Sequence, residues 1–239
     1  MSPKRIDRPS PNQDERKPGL GVDMLVLHYT GMKSATAALE RMCDATAEVS
    51  AHYMIDEDGT TYQLVPEERR AWHAGVSSWR GLRDINARSI GIELVNPGHE
   101  HGYRPFPETQ MAALETLAGE IVARHGIEPR NVVAHSDIAP QRKEDPGELF
   151  DWARLARAGI GLYPFADGGE RSAPSRMPIP MIQRWLRIVG YEVESGWVLD
   201  PPTIRVITAF QRHFRPASVE GLPDHDTILR LESLVRLWE

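Results

Sequence analysis

Cysteine is almost absent from this sequence. The chain of 239 residues contains one, Cys43, so no intrachain disulfide can form, which suits a reducing compartment. No stretch approaches the roughly 18 apolar residues that a membrane span needs. Residues 1–10 contain proline and charge but no apolar segment of the kind found in signal peptides. These absences favour a cytoplasmic protein that does not span a membrane.

A surplus of basic residues is also lacking. The chain has 28 Lys and Arg against 34 Asp and Glu, which gives a formal net charge of −6 at pH 7. Proteins that bind nucleic acid concentrate basic side chains against the phosphates, so nucleic acid is not the expected partner. The hydrophobic content of 41% and the charged content of 26% are those of ordinary globular proteins. Nothing in the composition indicates an oligomeric state.

Apolar runs typical of buried strands alternate with helical patterns through residue 165. The runs occupy residues 24–27, 51–55, 89–95 and 131–134. Apolar residues with helical spacing occupy 34–43 and 107–126. This alternation predicts an α/β domain with a central mixed β-sheet flanked by helices.

The pattern changes after residue 165. Four prolines and several glycines and serines between residues 164 and 180 indicate a linker. Three amphipathic helices follow, enough for a small helical domain whose own core would be thin. The predicted organisation is an extended arm at 1–20, an α/β domain at 21–165, a linker at 166–180 and a three-helix domain at 181–239.

Two histidines stand at the ends of strand-like runs. His28 ends the run at 24–27, and His135 follows the run at 131–134. Strand ends at one edge of an open α/β sheet are a common place for ligands to bind. Asp145, on the loop after His135, can reach the same point. Two imidazoles and one carboxylate are a ligand set of catalytic zinc, which keeps a further position for water. For an isolated histidine the alternative is a polar surface loop after a strand.

Two more ionisable residues complete the candidate site. Glu93 lies inside an apolar strand-like run, where a carboxylate is costly unless it is paired or near a cation. Alternation places it on the face opposite Ile92 and Leu94, toward a cleft. We expect Glu93 to accept a proton from water and pass it to a leaving amine. We expect Lys143 to stabilise the developing oxyanion. The alternative for Glu93 is a structural ion pair with an arginine such as Arg88.

Residues 66–88 show little periodicity but keep several aromatic and small polar side chains. A loop of this composition more often lines a site than stays idle. We expect Trp72, His73 and Asn86 to contact the substrate. His52 lies within a strand-like run and is expected to pack there.

Five segments of the chain carry a family resemblance. In order they are Val26-Leu27-His28-Tyr29-Thr30, Ser50-Ala51-His52-Tyr53-Met54-Ile55, Ala71-Trp72-His73-Ala74-Gly75, Ser89-Ile90-Gly91-Ile92-Glu93-Leu94 and the run from His135 to Gly147. Together they resemble the zinc-dependent N-acetylmuramoyl-L-alanine amidases of the amidase-2 family, and within it the AmpD and AmiD branch. The likeness covers about residues 9–160. The C-terminal helices resemble, less specifically, a small peptidoglycan-binding domain.

The resemblance implies a cofactor, a substrate and a role for each candidate residue. By it, Zn²⁺ is held by His28, His135 and Asp145, Glu93 is the catalytic acid/base, and Lys143 is the transition-state lysine. The implied reaction is hydrolysis of the amide between N-acetylmuramic acid, most readily its 1,6-anhydro form, and the L-Ala of the stem peptide. The implied partner is a muropeptide or peptidoglycan fragment, and the implied role is bacterial cell-wall recycling in the cytoplasm.

Two departures from the wider family are informative. Phage and recognition-protein members often carry Cys where this chain has Asp145, and phage members have a catalytic Tyr where it has Ala51. Both residues here agree with the AmpD and AmiD branch. A non-catalytic peptidoglycan-recognition module is the alternative function. It predicts a broken ligand set, whereas all three positions are filled here. A regulatory or structural protein that keeps the fold is a second alternative.

Overall fold

The computed structural model of the protein describes residues 4–165 and 177–238. Its strands are β1 (Arg5–Asp7), β2 (Gln13–Glu15), β3 (Met24–Tyr29), β4 (Tyr53–Ile55), β5 (Thr61–Gln63), β6 (Arg69–Ala71), β7 (Ser78–Trp79), β8 (Leu82–Arg83), β9 (Ser89–Leu94) and β10 (Val132–Ala134). Its helices are α1 (Ala35–Cys43), α2 (Ile85–Arg88), α3 (Gly98–His101), α4 (Glu108–His125), α5 (His135–Ile138), α6 (Trp152–Arg157), α7 (Ile179–Val189), α8 (Pro201–Phe214) and α9 (His225–Val235).

The main sheet is mixed, as the sequence predicts. Its strand order is β1-β5-β4-β9-β3-β10. Strands β4, β9, β3 and β10 run parallel to their neighbours in this order, whereas β5 is antiparallel to β4. The C-terminal ends of β3, β9 and β10 therefore meet at one edge, where three candidate site residues were predicted.

Residues 24–27 of strand β3 are apolar on both faces because each face is covered by helices. On one face, Leu25 and Leu27 of β3 share a cluster with Leu114 and Ile121 of α4. On the other face, Val26 packs into a cluster that includes helices of the C-terminal region. Alternate residues of a strand face opposite sides of the sheet, so a strand covered by helices on both sides has a continuous run of hydrophobic residues.

The C-terminal helices pack against the sheet. Leu186 of α7, Phe210 of α8 and Leu231 of α9 are buried in the same cluster as Val26 and Val133. Asp200 and Asp224 cap α8 and α9 by accepting hydrogen bonds from backbone N–H groups. These helices therefore share their core with the sheet, as expected of so small a helical unit.

Residues 4–20, predicted as an extended arm, pair with the rest of the molecule. Strand β1 lies parallel to β5 at the sheet edge, and β2 lies antiparallel to β6. Residues 166–176 of the predicted linker lie outside the described residues, and helix α7 begins at Ile179. The division into domains stays a prediction.

Several element boundaries follow from local sequence signals. Ser34 caps α1 by accepting from the N–H of Ala37, and Gly126 ends α4 with a positive φ of 64°. The stretch 66–88, predicted without regular structure, carries the short elements β6, β7, β8 and α2. Within the described ranges, no helix is both long and apolar enough to cross a bilayer.

Candidate metal centre

The three predicted ligands converge at the edge of the sheet. His28 lies in β3, and His135 directly follows β10, which pairs with β3 in parallel register. The Nδ1 atoms of His28 and His135 are 2.9 Å apart. Oδ2 of Asp145 lies 3.1 Å from Nδ1 of His28 and 3.0 Å from Nδ1 of His135. All three residues are buried.

The hydrogen bond at Nε2 of His28 fixes the tautomer of this ring. The Ser89 hydroxyl donates to the carbonyl of Ile85 at 2.7 Å, so its oxygen accepts from Nε2 of His73 at 3.1 Å. Burial holds the pKa of His73 well below its usual value, so its ring is neutral and its Nδ1 accepts. That Nδ1 therefore receives the Nε2 proton of His28 at 3.0 Å. Nδ1 of His28 is left with a free lone pair.

His135 has the same tautomer for a simpler reason. Its Nε2 lies 3.2 Å from the backbone carbonyl of Ala74, which can only accept a hydrogen bond. The ring proton therefore sits on Nε2, and the lone pair of Nδ1 points toward His28 and Asp145. Arg142 also donates to the carbonyl of Ala74.

The donor set fits a cation such as zinc. With both ring protons on Nε2, two imidazole lone pairs and a carboxylate oxygen face one another at 2.9–3.1 Å. Such an arrangement is repulsive unless a positive ion lies among the three atoms. Zinc bound tetrahedrally at about 2.0–2.2 Å would space its ligands by about 3.3 Å, close to these distances. Both nitrogen and oxygen donors belong to zinc's usual ligand set.

His28 and Asp145 are held in the protonation states that a metal requires. Burial lowers the pKa of His28 to about 4, and the neighbouring His135 adds to this effect. Burial alone would raise the pKa of Asp145, but the two histidines hold it below its usual range. Near neutral pH the site therefore presents a neutral imidazole at His28 and a carboxylate at Asp145.

Two residues predicted to contact the substrate, His73 and Asn86, are buried and form hydrogen bonds that support the candidate ligands. His73 is buried between His28 and Ser89 in the chain of hydrogen bonds above. The amide oxygen of Asn86 accepts from the backbone N–H groups of His73 at 3.1 Å and Ala74 at 2.7 Å. Both residues thus hold the backbone and rings that orient the ligands. Direct contact of His73 and Asn86 with substrate stays a prediction.

Trp72 and His52 flank this layer. Trp72 is half-buried, and its indole Nε1 is a buried donor with no acceptor within residues 4–165 and 177–238. Its role as a substrate contact stays a prediction. His52 is fully buried and its Nδ1 accepts from the N–H of Gly91 at 3.0 Å, so it packs in the fold as expected.

Glu93 stands beside the ligand set. The β3–β9 register pairs Glu93 with His28, so the two side chains share one face of the sheet. The residue is partly exposed, but its Oε2 is buried and has no hydrogen-bond partner among the described residues. Burial raises the pKa of Glu93 well above its usual value, Asp145 raises it further, and Lys143 lowers it.

The alternative of an ion pair between Glu93 and Arg88 is not what the structure shows. The guanidinium of Arg88 binds Asp23, with Nε 2.8 Å from Oδ1. Within residues 4–165 and 177–238, Glu93 forms no salt bridge, and it lies next to the candidate ligands. This is the pattern expected of a proton-transfer group more than of a structural salt bridge.

Lys143 is brought near by the loop that carries Asp145. The backbone N–H of Lys143 bonds the carbonyl of Ala139 at 3.1 Å, which closes a turn between the two ligands of this loop. Its side chain is partly buried, and its charge acts on both Glu93 and His28. All five residues predicted for catalysis and metal binding therefore lie together.

Sequence reasoning missed the residues that orient this set. Ser89 stands at the start of a strand, and the carbonyl of Ala74 has no side-chain signature. Asp137 lies two residues after His135 and is completely buried. Its hydrogen-bond partner His213 does have a sequence signal, because it interrupts the apolar face of α8 between Phe210 and Phe214.

The comparisons with known proteins agree with this geometry. The profile of a family described as N-acetylmuramoyl-L-alanine amidase matches residues 17–148. The chain belongs to this amidase family. The matched segment contains every ligand, and it ends well before the C-terminal helices.

Two relatives extend the likeness. The amidase is 40% identical to the N-acetylmuramoyl-L-alanine amidase AmiD of Escherichia coli, over 91% of this chain and 83% of AmiD. It is 35% identical to the 1,6-anhydro-N-acetylmuramyl-L-alanine amidase AmpD of Citrobacter freundii, over 62% of this chain and 86% of AmpD.

Two solved structures resemble the whole amidase. Escherichia coli AmiD in complex with the substrate anhydro-N-acetylmuramic acid-L-Ala-D-γ-Glu-L-Lys superposes with a TM-score of 0.82 at 38% identity, covering 94% of this chain and 93% of that one. Pseudomonas aeruginosa AmpDh3 in complex with anhydromuramic pentapeptide gives 0.81 at 34% identity, with 94% and 96% covered. The mixed sheet and the C-terminal helices therefore both have counterparts in this family.

Proposed function

We propose that this amidase is a zinc enzyme that hydrolyses the amide between N-acetylmuramic acid and the L-Ala of a stem peptide. One observation carries the metal: the lone pairs of His28 Nδ1, His135 Nδ1 and Asp145 Oδ2 meet within 2.9–3.1 Å. With the ring protons placed on Nε2 by the hydrogen bonds there, these three atoms would repel one another, and a cation bound between them would remove that repulsion.

We propose 1,6-anhydro-muropeptides as the favoured substrates and cell-wall recycling as the role. The support comes from relatives, because AmiD and AmpDh3 are seen with anhydromuramyl peptides and AmpD is named for the 1,6-anhydro sugar. The site itself supports amide hydrolysis in general. A cytoplasmic location stays a prediction from sequence.

Glu93 and Lys143 would have separate roles in the reaction. Bound zinc supplies Lewis-acid chemistry, polarising the scissile carbonyl and lowering the pKa of a water molecule. Glu93, whose pKa is raised by burial, takes up a proton from the attacking water and holds it at its carboxyl group. The same proton then passes to the departing nitrogen of L-Ala, which leaves as an amine. Lys143 offers positive charge to the oxyanion.

The residues behind the ligands would act by orientation. His73 and Ser89 hold the ring of His28, the carbonyl of Ala74 holds that of His135, and Asn86 holds the backbone between them. Supporting partners of this kind set the tautomer of metal-binding histidines and keep the site assembled. Trp72 stays a proposed substrate contact, as do His73 and Asn86.

Product analysis by mass spectrometry tests this function. The purified protein is incubated with an anhydro-muropeptide and, separately, with intact sacculi, each with a chelator and after zinc is restored. We expect release of free stem peptide from the anhydro-muropeptide, loss of release with chelator and recovery with zinc. Binding without release from either substrate would instead support the recognition module. Release that a chelator leaves intact would rule out the metal mechanism.

A further inference from the structure

One C-terminal helix contacts the segment that carries two of the three ligands. We call residues 135–148, from His135 past Asp145, the ligand loop. Helix α8 (Pro201–Phe214) packs on this loop, although α8 lies outside the family match at 17–148. Its last turn reaches the loop near both ligands.

The first contact secures the loop beside His135. Asp137 is completely buried, and its Oδ2 accepts from the N–H of Ala134 at 2.8 Å and from Nδ1 of His213 at 2.7 Å. Its Oδ1 accepts from the hydroxyl of Tyr191 at 2.6 Å. A buried carboxyl group is tolerated only with such partners. The C-terminal region therefore provides two of the three bonds that fix Asp137.

The ring of His213 is itself held in place. It stacks on Trp152 with centroids 3.7 Å apart and on Phe214 with centroids 3.9 Å apart. Its position is thus set by aromatic packing on both faces, and it presents Nδ1 to Asp137 from a fixed direction.

The second contact secures the loop around Asp145. The guanidinium of Arg212 donates to Glu144 at 3.0 Å and lies 3.4 Å from a carboxylate oxygen of Glu148. These carboxylates flank Asp145 in the chain, and the Arg212 side chain is only 17% exposed. A planar guanidinium can bridge two carboxylates in a way that a single ammonium cannot.

We infer that α8 positions the ligand loop, with His213 holding the end near His135 and Arg212 holding the end near Asp145. The loop then stands in its metal-binding form before the ion arrives, so binding does not have to order it. Ordering a flexible loop would otherwise subtract from zinc affinity. Arg212 and His213 are positioning residues, and their role rests on the proposed zinc site.

Arg215 offers a matched control for Arg212. Both arginines lie at the end of α8, have similarly buried side chains at 14% and 17% exposure, and meet two carboxylates each. The partners of Arg215 are Asp224 and Asp226, within the C-terminal helices. Loss of either arginine should weaken the C-terminal unit, but of the two only Arg212 contacts the ligand loop.

The experiment compares wild type, Arg212→Gln, Arg212→Lys and Arg215→Gln in the full-length chain. Zinc affinity is measured by competition with a chromophoric chelator, and hydrogen exchange of residues 135–148 is measured in the zinc-free proteins. We expect Arg212→Gln to weaken zinc binding by about 10–100-fold, the usual cost of losing an outer partner of a metal site. We expect faster exchange in the loop as well. Arg215→Gln should match wild type in both measurements.

The sign of the effect separates positioning from simple charge. Removing a positive charge near the site would by itself strengthen binding of a cation, whereas loss of positioning weakens it. Arg212→Lys keeps the charge and is the variant to use if Arg212→Gln does not fold. It should still weaken zinc binding, because an ammonium does not bridge Glu144 and Glu148.

Two results would overturn the inference, and they are distinguishable. Unchanged zinc affinity and loop exchange in the Arg212 variants, with zinc bound normally by wild type, would refute the positioning role of α8. The proposed zinc site would not be affected by that result. Failure of the wild type itself to bind zinc would refute the proposed metal site and the positioning role with it.

Discussion

At the candidate metal centre, the tautomer of each histidine is set by a neighbour outside the ligand set. His73 and Ser89 place the proton of His28 on Nε2, and the carbonyl of Ala74 does the same for His135. Glu93 differs in having a buried oxygen without any hydrogen-bond partner in the described part of the chain. The hydrogen-bonded neighbours therefore hold the site, whereas Glu93 is free to move a proton.

Glu93→Gln tests the proton-transfer role. Glutamine keeps the shape of the side chain but cannot take up a proton, so we expect kcat to fall by about 10²–10⁴-fold. Zinc content should stay at the wild-type level because Glu93 is not one of the three converging donors. Steady-state kinetics with metal analysis measures both. Near-normal turnover in the zinc-loaded variant would remove Glu93 from the mechanism.

His73→Phe tests the orienting role that the structure gives to His73. Phenylalanine fills the same space but cannot accept the Nε2 proton of His28, so the tautomer and ring angle of His28 lose their support. We expect zinc affinity to fall by about 10–100-fold, measured by chelator competition. A variant with wild-type zinc affinity but a raised KM would instead return His73 to the substrate-contact role predicted from sequence.

At the scale of elements, sequence patterns gave the strands and helices that form the site but not their short connections. The apolar runs of β3, β9 and β10 predict buried strands, and three site residues, His28, Glu93 and His135, lie at or near the ends of these strands. The loop 66–88 has no periodicity, because its short strands and α2 are fixed by contacts distant in sequence. The two hydrogen bonds that the Asn86 amide oxygen accepts from the N–H groups of His73 and Ala74 are such contacts.

His52 ties several elements together and makes their packing sensitive to acid. Its Nδ1 accepts from Gly91 in β9 and its Nε2 lies 3.1 Å from the carbonyl of Arg69 in β6. Burial, with the nearby Arg16, lowers its pKa from 6.5 to about 3. The folded state thus favours the neutral ring, and this contribution is present above pH 6.5 and is lost as the pH falls toward 3.

We therefore expect the zinc-free protein to lose stability between pH 6.5 and about 3, by at most about 5 kcal/mol from His52. Urea unfolding at a series of pH values measures the slope. His52→Asn should be less stable at neutral pH and show a shallower slope in this range. An identical slope in wild type and His52→Asn would assign the acid sensitivity to other groups.

At the scale of the whole molecule, one hydrophobic cluster spans the sheet and the C-terminal helices. Val26 and Val133 of the sheet share it with Leu186, Phe210 and Leu231. The change of pattern after residue 165 predicts a separate helical unit, and amphipathic spacing predicts its helices. The pattern does not show which surface each apolar helix face packs against, because packing between distant segments leaves no local signal.

Phe210→Ala tests this shared core. The side chain is fully buried, and its removal leaves a cavity that should cost about 3–5 kcal/mol of unfolding free energy. Because the cluster joins both parts, we expect the variant to unfold in one transition at lower denaturant, followed by tryptophan fluorescence and circular dichroism. Two separate transitions, with only the helical one shifted, would show that the parts are independent.

Anomalous diffraction at the zinc absorption edge, on crystals of the wild-type protein grown with zinc, tests the central claim most directly. We expect one peak, about 2.0–2.2 Å from Nδ1 of His28, Nδ1 of His135 and Oδ2 of Asp145. The Nε2 atoms of both rings should stay bonded to His73 and to the carbonyl of Ala74. Active protein with no peak at these three atoms, or with zinc on an Nε2 atom, would contradict the account.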